Sequence, residues 1–220
     1  MANRDNHRQY ELMTIGTLTS LAQSTGLIRA VDIDFILTEL GFVPSSVLEV
    51  GAGGGRVVDA LLAKLGECEI FALERSPNFI DYLRNRFAAA NRVKIMPGDV
   101  ASITLPLVDL TLWLWSGIAD FSPDEQPVIL SRLAACTRRT VVLETPMEGA
   151  ATNAHSVEGQ WHICNWDNGT EYRGYVPTTD EFRAYARTAN LRLRDRVVYT
   201  TPTNRHRVLY LLEHQTGTNE

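Results

Sequence analysis

One segment constrains the fold of this chain more than any other. Residues 47–50 are a short apolar run, and residues 51–55 read Gly-Ala-Gly-Gly-Gly. From Arg56 onward, Val57, Val58, Leu61, Leu62 and Leu65 recur at helical spacing as far as Gly66. A strand that passes through glycines straight into an amphipathic helix is the opening unit of an open α/β sheet. The glycines allow a tight turn close to a ligand, and the helix packs back on the strand.

The unit recurs. Residues 70–73 read as a second strand, followed by Ser76-Pro77 as N-cap and first helical residue and by Phe79, Ile80, Leu83 and Phe87 on one helix face. Residues 93–96, 108–114 and 141–143 supply a third and fourth strand and the centre of a fifth. Ser122-Pro123-Asp124-Glu125 is a capping box that opens the helix between the last two. Thr178-Thr179-Asp180-Glu181 repeats the box before a helix through Phe182, Tyr185 and Ala189. Residues 193–199 and 208–212, joined across Pro202, read as an antiparallel hairpin. Ahead of the first strand, residues 10–21 and 31–40 predict two helices, the second stopping at Gly41 before Pro44. Such alternation requires a mostly parallel sheet covered by helices on both faces.

Residues 146–176 break the alternation and are too long for an ordinary connection. Within them, 161–166 and 171–176 flank Asp167-Asn168-Gly169, a turn signal that predicts an inserted β-hairpin. An insertion after the carboxyl end of a strand overhangs the place where open α/β sheets bind ligands. It is a candidate substrate lid, a plain stabilising flap being the alternative. Tyr10, Trp161, Trp166 and Tyr172 are the aromatics expected to close it with the amino-terminal helices. With 220 residues the chain suffices for one α/β domain. We divide it into a helical cap (1–44), a core (45–145), the insertion (146–176) and a closing helix and hairpin (177–220).

Charge and cysteine usage exclude several classes. A formal net charge of -5 disfavours a polyanionic partner, so nucleic acid is not the expected substrate. Cys68, Cys136 and Cys164 are odd in number and lack C-x-x-C spacing, against both a disulfide framework and a zinc site. No apolar run reaches the roughly 20 residues of a membrane span, and the polar first ten residues lack a secretory signal, so a cytoplasmic location is expected.

The loop 49–55, Glu-Val-Gly-Ala-Gly-Gly-Gly, resembles that of class I, Rossmann-like methyltransferases that use S-adenosylmethionine. A dinucleotide fingerprint would place Gly or Ala where Arg56 stands. The resemblance implies a doubly wound seven-stranded sheet in the order 3-2-1-4-5-7-6, strand 7 antiparallel. It implies that Glu49 helps hold the amino-acid end of the cofactor and that Gly51, Ala52, Gly53 and Gly55 let the cofactor approach the backbone. Glu74, followed by Arg75, would accept from the ribose diol, Asp99 would accept from the adenine amino group, and Val100 would pack on the ring. Asp109 would stand at the entrance of the fourth strand.

Past that strand, enzymes that methylate amino groups of nucleic acids present Asn/Asp-Pro-Pro-Tyr/Phe, whereas this chain has Trp115-Ser116-Gly117-Ile118. Trp115 or Trp113 is therefore available to face the sulfonium or an aromatic substrate, and strand alternation predicts the two on one face. A general base is needed only if the nucleophile must lose a proton. His162, His155 and Glu144 are the candidates, His162 having the more rigid setting. Acids do not cluster after the fourth strand, so no metal is expected. The expected reaction is methyl transfer to an O, N or C atom of a small metabolite. The alternatives are a protein or RNA methyltransferase docking through Arg192, Arg194, Arg196 and the neighbouring Arg183, Arg187, Arg205 and Arg207, or a non-catalytic nucleotide-binding protein. A solvated hairpin face accounts better for these arginines.

Overall fold

The computed structural model describes the backbone of residues 3–150, 156–165 and 171–215. Five parallel strands form its centre: β1 (Ser46–Val50), β2 (Glu69–Glu74), β3 (Val93–Pro97), β4 (Val108–Trp113) and β5 (Thr137–Pro146). The insertion forms a separate sheet of β6 (Ser156–Glu158), β7 (Trp161–Asn165) and β8 (Glu171–Tyr175). The terminal hairpin, β9 (Leu191–Thr200) and β10 (His206–His214), completes the main sheet in the order β3-β2-β1-β4-β5-β10-β9, with β10 antiparallel to both neighbours. This is the order the sequence resemblance implies.

Strand β1 is buried along its whole length, as a central strand covered on both faces must be. On one face α3 (Val31–Glu39), α4 (Arg56–Lys64) and α5 (Pro77–Arg86) pack Ile36, Leu61 and Leu83 against Leu110, Leu112 and Leu209 of the sheet. On the other, α6 (Gln126–Ala135) and α7 (Thr179–Thr188) set Leu133 and Phe182 against Leu48, Leu143 and Val208.

Several local expectations change. Three helices, not two, precede β1, because the run splits at Thr14. The Thr14 side chain accepts from Thr17 N at 3.1 Å, which ends α1 (Asn3–Leu12) and caps α2 (Ile15–Ser24). Gly41 takes the left-handed conformation after α3 that the sequence predicts. The Thr178–Glu181 capping box forms in full. At the Ser122 box, Glu125 accepts from the Ser122 N–H and hydroxyl, but the helix starts only at Gln126. The inserted hairpin gains a third strand, β6, and its predicted turn at 167–169 lies outside the described residues.

The arginine stripe of β9 does not survive folding as one face. The pairing slips between Leu211 and Leu212, so Arg192 opposes Glu213 while Arg196 opposes Tyr210, and a bulge at Arg194 sends the two to opposite faces. Arg192 and Arg194 both pair with Glu213, and Arg207 is buried in the interior.

Candidate functional site

A cavity of about 1270 Å³ opens at the carboxyl ends of β1, β2 and β4, beneath α1, α2 and the small sheet. Its floor is the glycine loop. Gly51 and Ala52 donate their N–H groups to Leu73 O at 2.9 and 3.0 Å, which ties the loop to β2. Gly55, at φ 79°, caps α4, and a Cβ there would fall 2.6 Å from the Phe87 ring. The position therefore demands glycine for both conformation and space.

Glu49 leaves β1 into this cavity with its carboxylate buried and Oε2 without a hydrogen-bond partner. Burial pushes its pKa up from 4.5 to about 8, only partly opposed by the nearby Arg56 guanidinium. Arg56 itself is committed elsewhere, bidentate to the buried Asp32 at 2.8 and 2.7 Å, which pins α3 to α4. A group whose folded pKa lies above its unfolded value is protonated in the fold, so its contribution to stability is full below pH 4.5 and lost as pH rises to about 8. Asp120, raised from 3.8 to about 6, acts with the same sign over a lower window. We expect Glu49→Gln to flatten the decline in melting temperature between pH 6 and 8, measured without ligand. An unchanged slope would mean that Glu49 is ionised in the fold.

Glu74 ends β2 with its carboxylate facing the loop. Oε2 accepts from Gly53 N at 2.7 Å, and Oε1 accepts from Arg75 N and Ser76 N at 2.8 and 2.9 Å. Ser76 occupies the N-cap position of α5, as expected, but makes no side-chain cap, and its hydroxyl is unpartnered. Beyond β3, Asp99 accepts from Ala101 N at 2.8 Å and so closes its own turn, with Val100 buried beside it. Arg75 lies between Asp99 and Asp120, 3.8 and 3.7 Å from their carboxylates, and stacks 5.6 Å from the centre of the Tyr10 ring. Its buried Nη2 has no hydrogen bond.

The roof is built from two distant segments. Asn6 of α1 donates from Nδ2 to Arg173 O at 2.8 Å and accepts from Arg173 N at 3.2 Å, so one side-chain amide extends the edge of β8. Tyr10 and Tyr172 both donate to Asp120 Oδ1, at 3.5 and 3.0 Å. The sequence does not single out Asp120 as a site residue. Its part in joining the roof depends on three segments far apart in the chain.

In the small sheet His162 opposes Gly174 and Cys164 opposes Tyr172, and all four line the cavity. Trp161 faces the other way, edge-on to Tyr175 with ring centres 5.2 Å apart, and Tyr175 donates to Glu181 of α7. Trp161 is thus a clasp between small sheet and core rather than a cavity aromatic. His155 and Trp166 lie outside the described residues.

The exit of β4 forms a corner that the sequence does not announce. Trp115 and Ser116 both adopt left-handed conformations, at φ 52° and 62°. Glu144 holds them there: its carboxylate accepts from Trp115 N and its backbone oxygen accepts from Ser116 N at 2.9 Å. The same carboxylate takes the Tyr199 hydroxyl at 2.6 Å and the Arg207 guanidinium, whose Nη2 also donates to Ser116 Oγ at 3.0 Å. Glu144 is therefore saturated and fully buried, which removes it as a candidate base. The corner also overturns the expectation that the two tryptophans share a face, although both line the cavity. Trp113 packs edge-on to Phe121 in the α6/α7 core, whereas Trp115 turns to the α3/α4 side under Arg56. Asp109, at the opposite end of β4, binds Ser45 and Arg138 and takes no part in the cavity.

The glycine loop, the acids ending β1 and β2, and a sheet reversed only at β10 define a class I, Rossmann-like methyltransferase fold. Residues 47–140 match the family model described as a methyltransferase domain. The CcbJ methyltransferase of Streptomyces caelestis is 21% identical with a TM-score of 0.60, covering 81% of this chain and 87% of that one. The glycopeptide N-methyltransferase MtfA, solved with sinefungin, reaches a TM-score of 0.70 at 15% identity over 85% of this chain and 94% of its own. Among curated proteins, one named probable ribosomal RNA small subunit methyltransferase A, from Haloarcula marismortui, is 37% identical over 95 residues, 39% of this chain and 33% of that protein. The chain spans about a fifth to a third of the length of the first curated relatives it matches.

Proposed function

We propose that the protein is an S-adenosylmethionine-dependent methyltransferase acting on a small molecule. The observation that carries this is the unpartnered, buried Glu49 carboxylate beside a loop whose Gly51, Gly53 and Gly55 all take positive φ, with Glu74 one strand away. Glu49 suits the ammonium of the cofactor's methionine moiety, Glu74 the ribose hydroxyls, and Asp99 with Val100 the adenine. A carboxylate that already accepts three N–H groups keeps room for a further donor, since its two oxygens offer about four acceptor sites. When bound, the cofactor supplies a methyl group on a positively charged sulfur. The protein's own contribution is then alignment and exclusion of water beneath the roof joined at Asn6–Arg173 and Asp120.

A small acceptor is favoured over RNA by that roof and by the net charge of -5. None of the described helices is long and apolar enough to cross a membrane. The test is calorimetric titration with S-adenosylmethionine and with NADH, followed by turnover of isotopically labelled cofactor against a metabolite panel and against ribosomal RNA. Tight NADH binding, or label transferred to RNA alone, would overturn the reading.

His162 is our candidate base. It faces the cavity, and burial holds its pKa below the usual value, so the ring is neutral near pH 7 and able to take a proton. For a hydroxyl or protonated-amine acceptor, His162→Ala should lower kcat by about 10²-fold with cofactor affinity kept. Activity within a few-fold of wild type across pH 6–9 would exclude it.

A further inference from the structure

The cavity lining carries ionisable groups of both signs. Its acids include Glu49, Glu74, Asp99 and Asp120, the last two flanking Arg75. Seven lysine and arginine side chains line the cavity in all, and five of them face an acid: Arg56 with Asp32, Lys64 with Asp34, Arg75 with Asp99 and Asp120, Arg86 with Asp59, and Arg207 with Glu144. Arg29 and Arg205 are the two without an ion pair or side-chain hydrogen bond among the described residues.

These two stand on connections that touch each other. Gly26, at φ 75° in the α2–α3 connection, packs so closely on the β9–β10 connection that a Cβ would lie 2.9 Å from Thr203 N. Thr201 organises the latter loop, donating its N–H to Arg205 O at 2.9 Å and accepting from Arg205 N at 3.2 Å through Oγ1. Two residues on, Arg207 bonds Ser116, which sets the start of β10 against the exit of β4. Two arginines without an ion pair among the described residues therefore line the same cavity from adjoining connections. The cavity volume exceeds the roughly 300–1,000 Å³ typical of a single-ligand site, leaving room for a second molecule there.

On the methyltransferase reading, we infer that the methyl acceptor is a small molecule bearing a carboxylate or phosphate group, held by Arg29 and Arg205. The guanidinium fork matches either group bidentately. An anionic acceptor would give these two guanidinium groups a partner that the described residues do not supply.

The probes are benzoate, inorganic phosphate, benzamide and a short single-stranded RNA, titrated into the protein saturated with S-adenosylhomocysteine and followed by Trp fluorescence and calorimetry. We expect saturable millimolar or tighter binding of at least one anion and none of benzamide. The benzoate and phosphate arms decide between the two groups. Arg205→Gln with Arg29→Gln should weaken that binding tenfold or more while leaving S-adenosylhomocysteine affinity within a factor of two. Failure of S-adenosylhomocysteine to bind would remove the methyltransferase reading and this inference with it. Normal S-adenosylhomocysteine binding with no anion site, an anion site indifferent to both arginines, or RNA bound more tightly than either anion would overturn the acceptor class alone.

Discussion

Glu144→Ala is expected to destabilise the protein by about 3–5 kcal/mol, the usual cost of stranding one partner of a buried ion pair. Four donors converge on this carboxyl group: Trp115 N, Tyr199 Oη and two nitrogens of Arg207. Removing it leaves a buried guanidinium uncompensated and takes the acceptor from the Trp115 N–H at the left-handed corner. For a domain of this size the loss corresponds to a fall in melting temperature on the order of 10 °C. Glu144→Leu combined with Arg207→Met should recover most of the stability, because an apolar pair of similar volume removes the stranded charge. It should not recover turnover, since the Trp115 N–H would still lack its acceptor and the corner its geometry. Denaturant unfolding and a methyl-transfer assay on the same variants separate the two effects. A single mutant within 1 kcal/mol of wild type would show that the pair is not what holds the β4 exit.

Glu74→Ala should weaken S-adenosylmethionine binding by about 1.5–3 kcal/mol, or roughly ten- to hundredfold, the scale of hydrogen bonds to a charged buried group. Two effects contribute. The ribose would lose its acceptor, and Gly53, Arg75 and Ser76 would lose the acceptor of their N–H groups, loosening the glycine loop. A cofactor analogue without ribose hydroxyls distinguishes them. If Glu74 reads the ribose, wild type should prefer the full nucleoside and the variant should not, whereas a purely structural role would weaken both ligands alike. Calorimetry on a variant of confirmed fold gives the answer, and unchanged affinity for S-adenosylmethionine would withdraw Glu74 from the site.

The secondary structure was legible wherever a local pattern carried its own reason. The glycine loop needed only its residues, and the Thr178–Glu181 box is a contact within one turn. The failures were equally local in cause. The break at Thr14 follows from one hydroxyl competing for a backbone N–H, and the arginine stripe dissolved because a single bulge reverses the parity of every residue beyond it. The pairing of Trp113 with Trp115 failed where two positive φ angles ended the strand.

What the sequence determined by itself is the fold class, the strand order through its resemblance, and the side of the sheet where the cavity opens. The fold class and the side of the sheet follow from periodicity and from residues a few positions apart, and the strand order is what the resemblance implies. Tertiary structure alone decided which side chains share the cavity. Asn6 meets Arg173 and Glu144 meets Arg207 across separations of 167 and 63 residues, and Tyr10, Asp120 and Tyr172 converge from three separate segments. No local pattern encodes such meetings. Each exists because sheet order brings distant strand ends together and burial then obliges their polar groups to find one another.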